Sequence, residues 1–356
     1  MLSSMRLCTV RFVPNILITG GAGFIGVNAV RRFASRGWGV TIFDNFSRRG
    51  TAYNLEKLHE DVPEGLQVVR GDVRTDTKAL KELAEDVDVI LHLAAQVAVT
   101  TSVIDPRNDF ECNALGTLNV LEAVRQSERK PALLYASTNK VYGGLEHMAV
   151  EEKEKRYAFA GGVQGVPETV PLDFHSPYGC SKGAADQYVR DYARLYDLKT
   201  VVFRQSCIYG PHQMGIEDQG WVAWFLIAGL FKRPVQIYGN GKQVRDLLYV
   251  DDLVSCYERA IEKIDTVSGH IFNLGGGHGN TLSLIEFLEL LKQEHGIELS
   301  YTFAETRPGD QPIFISDNTA AMQALGWQPQ TDVRSGIGNL VAWLKNTKND
   351  LAAFYE

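Results

Sequence analysis

A tyrosine and a lysine stand four residues apart in the segment Tyr178-Gly-Cys-Ser-Lys182. Residues at this spacing lie on the same face of a helix. A phenol has a pKa near 10, and one cation about 4 Å away at an effective dielectric of 20 contributes about 4 kcal/mol, or about three pKa units. The spacing therefore predicts that Lys182 lowers the pKa of Tyr178, and that this phenol acts as a general base near neutral pH.

A hydroxyl side chain is expected beside this pair. The apolar run 132–136 indicates a strand, and Ser137 and Thr138 follow it directly. Side chains at the carboxyl end of a parallel strand face the ligand cleft of an α/β sheet. We expect Thr138 to share a hydrogen bond with the hydroxyl group from which Tyr178 removes a proton.

Four glycines follow the first apolar run, residues 15–19, in the segment 20–26. Gly20 suits a tight turn, Gly23 allows the backbone to approach a pyrophosphate, and Gly26 allows close packing of a helix on the strand. Phe24 and Ile25 begin that helix, whose free N–H groups bind phosphate. This arrangement predicts a dinucleotide site.

The identity of the dinucleotide is indicated by Asp44, 18 residues after Gly26 at the end of the next strand. A carboxylate there accepts hydrogen bonds from both ribose hydroxyls of NAD and repels the 2′-phosphate of NADP. Arg48 and Arg49 are open to three interpretations: a phosphate contact, a contact with the adenosine end, or a solvated loop. The other residues expected to bind the cofactor are Asn45, Asp72 (toward adenine), Val73, Leu93, Ala94, Ala95, Tyr178 and Lys182.

The elements that position these residues alternate regularly. Strands are predicted at 15–19, 39–43, 66–71, 88–92, 132–136 and 200–204, and helices at 24–36, 78–84, 113–125 and 181–196. Such alternation predicts an α/β fold built on a doubly wound parallel (Rossmann) sheet.

The 356 residues suit two parts at roughly 150 residues per domain. We expect a loose leader over 1–14, an NAD-binding Rossmann domain over 15–205, and a smaller mixed α/β substrate-binding domain over 206–356, with 270–275 returning to the main sheet. In the second part, helices are predicted at 222–231, 253–262, 282–295, 318–325 and 333–346, and strands at 235–238, 271–274 and 299–303. The segment 144–175 is a lid, an oligomer contact or disordered.

Composition excludes several classes of protein. The net charge of -7 argues against a nucleic-acid partner. The five cysteines are scattered, which suits a reducing compartment and offers no zinc spacing. No apolar run reaches the roughly 18 residues of a membrane span. We therefore expect a cytoplasmic protein with no metal and no membrane contact.

Several motifs occur together in one order: TGGAGFIG, HLAA, STNKVYG, SPYGCSK, RQSCIYGP, YGNGKQVRDLLYVDD and RPGDQP. With these motifs the chain resembles the extended short-chain dehydrogenases/reductases, the NAD-dependent nucleotide-sugar epimerases and dehydratases, over nearly everything after residue 14. The resemblance implies that Thr138, Tyr178 and Lys182 are catalytic and that NAD is tightly bound.

Two departures from the family pattern narrow the expected activity. The dehydratases carry Asp-Glu after the threonine, whereas this chain has Asn139-Lys140, so dehydration is not expected. Cys207 replaces an asparagine of many 4-epimerases. The loops resemble members that invert carbon 2 of a CDP-linked dideoxysugar, by transient oxidation to a keto sugar and hydride return to the opposite face.

The resemblance also implies a substrate site for a CDP-sugar or another nucleotide-diphosphate sugar. Arg245 and Arg307 are expected to hold the diphosphate, because guanidinium groups bind phosphate oxygens in pairs; the alternative is a surface ion pair. The other residues expected to bind substrate are Gln96, Thr138, Asn139, Cys207 and Gln243. A homodimer or homotetramer is expected.

Two alternative functions remain open at this point. One is a UDP-sugar 2- or 4-epimerase of the same family. The other is a non-catalytic NAD-binding regulator, against which the presence of all three of Thr138, Tyr178 and Lys182 argues.

Overall fold

The structure is a computed structural model that describes residues 13–62, 64–306 and 310–355. The elements of the first half are β1 (Asn15–Thr19), α1 (Phe24–Ser35), β2 (Gly39–Asp44), α2 (Thr51–Asp61), β3 (Leu66–Arg70), α3 (Thr77–Asp86), β4 (Val89–His92), α4 (Val99–Ile104), α5 (Pro106–Phe110), α6 (Gly116–Gln126) and β5 (Ala132–Thr138). A π-helix, Glu111–Leu115, joins α5 to α6, and a 3-10 helix, Asn139–Tyr142, follows β5. The predicted leader lies outside the described residues except for Val13 and Pro14.

The middle and the second half of the chain follow in the same alternation. They contain β6 (Val150–Glu152), β7 (Tyr157–Phe159), α7 (Ser176–Tyr196), β8 (Thr200–Gln205), β9 (Cys207–Tyr209), α8 (Trp221–Leu230), β10 (Val235–Tyr238), β11 (Val244–Tyr249), α9 (Val250–Glu262), α10 (Ile264–Val267), β12 (His270–Leu274), β13 (Thr281–Ser283), α11 (Leu284–His295), β14 (Tyr301–Ala304), β15 (Ile313–Phe314), α12 (Thr319–Leu325), α13 (Val333–Asn346) and α14 (Lys348–Tyr355). None of the helices in these described residues is long and apolar enough to cross a membrane.

Seven parallel strands form the main sheet in the order β12-β8-β5-β4-β1-β2-β3. The strand order reverses between β1 and β4, which is the position where open α/β sheets bind ligands at the carboxyl ends of their strands. The predicted doubly wound parallel sheet is therefore confirmed. Residues 270–274, as β12, occupy the edge of the sheet beside β8.

Helices cover both faces of this sheet because its strands are apolar on both sides. Ile16 and Ile18 face a core shared with α1, α9 and α12, and Leu17 faces a core shared with α3, α6 and α7. A third core lies in the second half of the chain, between α8, α11, α13 and α14. Two small sheets accompany it: β13-β11-β15 with β9 beside β11, and β10-β14.

Some element boundaries differ from prediction for local reasons. The predicted helix 282–295 begins at Leu284, because Ser283 is its N-cap and exchanges hydrogen bonds with Glu286 in a capping box. The residues before it form β13. The predicted helix 181–196 begins earlier, at Ser176. Helices α2 and α14 and strand β11 were not predicted.

The segment 144–175 contains the hairpin β6-β7 and packs on the second half of the chain. Tyr157 N–H donates to the carbonyl of Lys242, and Val166 bridges to Ser316. Phe159 and Val166 are buried against β15. These contacts hold the segment against β15 and the loop before β11.

A buried ion pair ties α7 to the main sheet. Arg204 on β8 donates from Nε and Nη2 to the two oxygens of Asp186 at 2.9 Å each, and these side chains are 3% and 0% exposed. Asp186 also accepts from Ser137 Oγ at 2.7 Å, and Arg204 Nη1 donates to Tyr142 at 2.9 Å. The pair holds α7 against β8 and, through Ser137, against the end of β5.

We predict that Arg204→Met lowers the free energy of unfolding by about 3–5 kcal/mol, because it leaves the Asp186 carboxylate buried without its cation. Urea unfolding at pH 7 measures this difference. Arg36→Met is the matched control: Arg36 pairs with Glu258 but is 60% exposed, so its loss changes stability by less than about 1 kcal/mol. Equal effects of the two variants would contradict the prediction.

Candidate active site

The glycine loop between β1 and α1 is fitted closely to the strand ends. Gly20 has φ +70°, and a Cβ there would lie 2.8 Å from the backbone N of Ala94. A Cβ on Gly26 would lie 2.5 Å from the carbonyl oxygen of Gly20. The loop therefore requires glycine at these two positions, and it brings the backbone of Leu93 and Ala94 against the first turn.

The N-terminus of α1, at Phe24 and Ile25, faces this loop. Its N-cap is Gly23, and no side chain caps the helix. A Cβ on Gly23 would approach the Gly20 carbonyl at 3.2 Å. Uncapped N–H groups next to a side-chain-free surface fit the pyrophosphate of a dinucleotide.

Asp44 ends β2 directly beside the loop. The side chain is 8% exposed, and its carboxylate accepts from Ala22 N at 3.1 Å and from Phe46 N at 2.8 Å. Burial raises the pKa of Asp44, while these two N–H groups and the charge of Arg48 act in the opposite direction. The carboxylate is thus held in place next to the phosphate-binding turn, where it fits the ribose of NAD.

Asn45 and Asp72 lie next to each other at the ends of β2 and β3. Asn45 Nδ2 donates to Asp72 at 3.0 Å, and Arg74 binds the same carboxylate through Nε at 3.0 Å and Nη2 at 2.7 Å. The contacts with Arg74 hold the pKa of Asp72 far below its usual range. Val73 is buried, and Ala95 continues the loop after β4. These residues line the outer end of the cleft.

Thr138, Tyr178 and Lys182 lie together at the carboxyl end of β5. The Tyr178 phenol is hydrogen-bonded to Thr138. Lys182 Nζ donates to the carbonyl of Ala136 at 2.5 Å and lies 4.3 Å from the centre of the Tyr135 ring. All three proposed catalytic side chains are at most 8% exposed.

The pKa of Tyr178 differs from the expectation. Burial raises it to about 12, and the hydrogen bond with Thr138 and the charge of Arg48 oppose this rise without cancelling it. Burial also lowers the pKa of Lys182 to about 7, against the opposing effect of the Asp186 and Asp109 carboxylates. The prediction that Lys182 lowers the pKa of Tyr178 is therefore wrong: burial raises that pKa, and the cation whose charge opposes the rise is Arg48.

The proposed diphosphate residue Arg245 lies on β11 with its side chain 14% exposed. Its Nη2 donates to Asp310 Oδ1 at 2.6 Å, and Lys140 Nζ lies 3.6 Å from the same oxygen. Burial, with the charge of Arg245, lowers the pKa of Lys140 to about 8. Two cations, Arg245 and Lys140, therefore meet at one carboxylate, that of Asp310. Arg307 lies outside the described residues.

The other proposed substrate residues occupy different positions around the cleft. Asn139 Nδ2 donates to Gln311 at 3.4 Å, Cys207 lies on β9 opposite Leu247, and Gln243 donates to the carbonyl of Tyr238. Gln96 has a different environment, since its Nε2 donates to Asp109 and to the Ala98 carbonyl at 2.9 Å each. Its amide protons are therefore committed to protein acceptors.

Two residues of the loop after β2 have contacts that the sequence did not indicate. Arg48 Nη2 donates to Gln219 at 2.8 Å, and Arg49 lies 5.0 Å from the centre of the Tyr355 ring on α14. The loop after β2 therefore contacts both the loop before α8 and the helix α14. Sequence spacing carries no indication of this, because the partners are more than 170 residues away.

One cluster in the described residues has ligand atoms suited to a metal. Glu146, Asp173 and His175 each bring one such atom within 4.8 Å of the others. The two carboxylate residues are exposed, and exposed clusters of this kind are common without an ion. The sequence did not indicate this proximity because the residues come from two ends of one loop.

The parallel sheet and the glycine loop define an α/β enzyme of the NAD-binding class. A family model for the NAD dependent epimerase/dehydratase family matches residues 16–275, and the chain belongs to that family. The predicted family is confirmed.

Three relatives show how far the similarity extends. The CDP-paratose 2-epimerase of Salmonella typhi is 43% identical over 92% of this chain and 98% of its own length. The structure of a UDP-glucose 4-epimerase of Thermotoga maritima with UDP-glucose has a TM-score of 0.80 at 31% identity, covering 94% of this chain and 99% of that one. A UDP-glucose 4-epimerase of Thermus thermophilus in complex with NAD has a TM-score of 0.76 at 32% identity, covering 93% and 99%. NAD as the cofactor is confirmed.

We predict that Asp44→Asn lowers the preference for NAD over NADP by about tenfold or more, because the variant removes the negative charge that repels a 2′-phosphate. The ratio of the two dissociation constants, measured on protein freed of nucleotide, tests this. Asp61→Asn, an exposed carboxylate paired with Arg31, is the control that leaves the ratio unchanged. Wild-type protein binding NADP as tightly as NAD would contradict the role of Asp44.

Proposed function

We propose that this protein is a nucleotide-sugar epimerase that inverts carbon 2 of a CDP-linked dideoxysugar, converting CDP-paratose to CDP-tyvelose, with tightly bound NAD. The type of reaction is supported by the arrangement of Thr138, Tyr178 and Lys182, which lie together beside the glycine loop. The substrate is supported by the 43% identity to the Salmonella typhi CDP-paratose 2-epimerase, which spans 92% of the chain.

Each side chain of the proposed catalytic set has one task. Tyr178 takes the proton from the sugar hydroxyl and returns it to the same oxygen, while Thr138 holds that oxygen by a hydrogen bond. Lys182, as an ammonium, stabilises the phenolate. Bound NAD supplies the hydride acceptor and donor, and its oxidised ring adds a positive charge that favours the phenolate. Since the pKa of Tyr178 lies near 12 in the protein alone, this added charge is needed for function near neutral pH.

Inversion at one carbon requires that the keto sugar stays bound while it turns over. Arg245 anchors the diphosphate, so the sugar rotates about a fixed phosphate end. The burial of Tyr178 and Lys182 excludes water from the proton-transfer site. No net oxidation occurs, and the proton taken by Tyr178 is returned within the same cycle.

Dehydration is disfavoured by the side chains next to Thr138. Asn139 is buried and donates to Gln311, and Lys140 faces Asp310 and Arg245. Neither side chain supplies the carboxyl group that eliminates water in the dehydratases. The reaction therefore ends with hydride return rather than with loss of a hydroxyl.

A UDP-sugar 4-epimerase is the second candidate, and it is favoured by the TM-score of 0.80 to the Thermotoga maritima enzyme. Incubation of purified protein with CDP-paratose, CDP-glucose and UDP-glucose, followed by NMR of the sugar, separates the two. Inversion at carbon 2 of the CDP-sugar is the expected result. Turnover of UDP-glucose alone, or inversion at carbon 4, would replace the proposal by the second candidate.

We propose that the protein acts in the cytoplasm and that it forms a homodimer or a homotetramer. Apolar side chains that suit a subunit contact are exposed near the catalytic helix: Phe110 on α5, and Tyr188 and Leu195 on α7, are 56%, 51% and 68% exposed. Packing these faces together removes them from water.

We predict that Tyr178→Phe lowers kcat by at least about a hundredfold and leaves NAD bound, because it removes the hydroxyl that transfers the proton but keeps the ring. Steady-state turnover and the nucleotide released on denaturation measure both effects. Tyr188→Phe, an exposed tyrosine on the same helix, is the matched control. Near-normal turnover of Tyr178→Phe would overturn the assignment of the base.

We predict that Arg245→Ala raises the KM for the nucleotide sugar by about tenfold or more and leaves NAD affinity unchanged, because a charge-assisted hydrogen bond contributes about 1.5–3 kcal/mol. Arg334→Ala, which removes an exposed arginine, is the control. A loss confined to NAD binding would contradict the assignment of Arg245 to the diphosphate.

A further inference from the structure

Asp109 is a fully buried carboxylic acid beside α7, and it does not belong to the proposed catalytic or binding residues. It lies in α5, where it is 0% exposed. No lysine or arginine of the described ranges forms an ion pair with it, unlike Asp186, which is paired with Arg204. A buried carboxylate is costly without compensation, so its surroundings must stabilise the charge.

Three neutral side chains converge on this carboxylate. Ser181 Oγ donates to Oδ2 at 2.5 Å, and Gln96 Nε2 and Asn113 Nδ2 donate to Oδ1 at 2.9 and 3.1 Å. Ser181 directly precedes Lys182, and Gln96 follows the cofactor-contacting loop after β4. Both oxygens are therefore hydrogen-bonded, and two of the three donors adjoin residues of the proposed site.

The backbone around Asp109 is adapted to this contact. The π-helix Glu111–Leu115 begins two residues later and contains Asn113, which also donates to Ser181 Oγ at 3.0 Å. π-helical turns inside α-helices occur frequently at functional sites. The wider turn directs Asn113 toward both Asp109 and the first turns of α7.

The charge of Asp109 acts on both members of the catalytic pair. It raises the pKa of Lys182, which burial holds near 7, and it raises the pKa of Tyr178. In return, the charge of Lys182 lowers the pKa of Asp109, which burial raises. The cation whose charge acts on the buried carboxylate is thus Lys182, the ammonium of the proposed catalytic pair.

We propose that Asp109 is a positioning residue of the catalytic pair: its buried carboxylate brings a negative charge to the residue that precedes Lys182 and, through Ser181 and Asn113, fixes the start of α7 against α5. This proposal rests on the proposed epimerase chemistry for its kinetic readout only. It assigns to Asp109 a contribution to the reaction that acts through Lys182 and not through contact with substrate.

Removal of this charge has a definite sign. A negative charge favours the protonated form of both neighbours, so its loss lowers the pKa of Lys182 and that of Tyr178 together. The pH profile of kcat reports the apparent pKa values of the coupled pair. Both limbs therefore move toward lower pH, whereas structural damage lowers kcat at every pH without moving them.

The other titratable and charged groups that face this region come from every element packed around it. They are His92 on β4, Cys112 in the π-helix, Tyr135 on β5, Asp186 on α7 and Arg48 in the loop after β2. Burial lowers the pKa of His92 to about 3 and raises those of Tyr135 and Cys112, so these three are neutral near pH 7. Asp186 and Arg48 are not altered in the variants below.

The test compares Asp109→Asn with wild type as NAD-loaded enzyme between pH 5.5 and 9.5. Asparagine preserves the volume and removes the charge. Both limbs of the kcat profile are expected to shift to lower pH by about one unit. Asp105→Asn, the same change at the exposed N-cap of α5, leaves the profile in place. Unshifted limbs in Asp109→Asn, with or without a uniform loss of kcat, would overturn the proposal.

A second measurement keeps the test independent of turnover. The pKa of Lys182 is read from its 13Cε resonance, assigned with Lys182→Arg, and it is expected to fall in Asp109→Asn. If that variant does not fold, Ser181→Ala is used: it removes a donor from the carboxylate, favours its neutral form and lowers the same pKa by less. An unchanged Lys182 pKa refutes the role of Asp109.

Failure of the proposed function gives a different result. Wild-type protein that turns over none of the nucleotide sugars refutes the proposed function, but the titration of Lys182 still tests the role of Asp109.

Discussion

The central constraint on this molecule is that a phenol and an amine are buried together, whereas the proposed reaction requires both to carry charge. Burial drives both toward their neutral forms, and even with the opposing interactions the pKa of Tyr178 lies near 12 and that of Lys182 near 7. Opposing charges must come from outside the pair. Asp186 and Asp109 favour the ammonium, and Arg48 favours the phenolate. Much of the architecture around α7 serves to hold these charges in place.

The parallel sheet makes this possible by bringing distant segments to one edge. Because the strand order reverses between β1 and β4, the glycine loop, Asp44 and Thr138 all lie at carboxyl ends that border the same cleft. The second half of the chain contributes β11 with Arg245, and it returns β12 to the main sheet. The residues proposed to bind cofactor and substrate thus belong to one continuous framework, which suits the proposed oxidation and re-reduction of the same sugar carbon.

Much of the fold and part of the candidate site could be predicted, and the failures have physical causes. The main strands were predictable because apolar runs buried on both faces leave a clear pattern. Strand β11 was missed because Arg245 and Asp246 interrupt its apolar character, and α2 was missed because it is mostly polar. The commitment of the Gln96 amide to Asp109 was not predictable, since the two residues meet only where α5 folds back on the loop after β4.

The sequence by itself determined what depends on local backbone geometry. The glycine spacing dictates a turn that only small residues tolerate, and the interval between Tyr178 and Lys182 places both on one helix face. Tertiary structure alone decided how these groups ionise. A pKa depends on burial and on charges from Asp109, Asp186 and Arg48, which are far from the pair in the chain or unpredictable in orientation, and such effects exist only once the elements are packed.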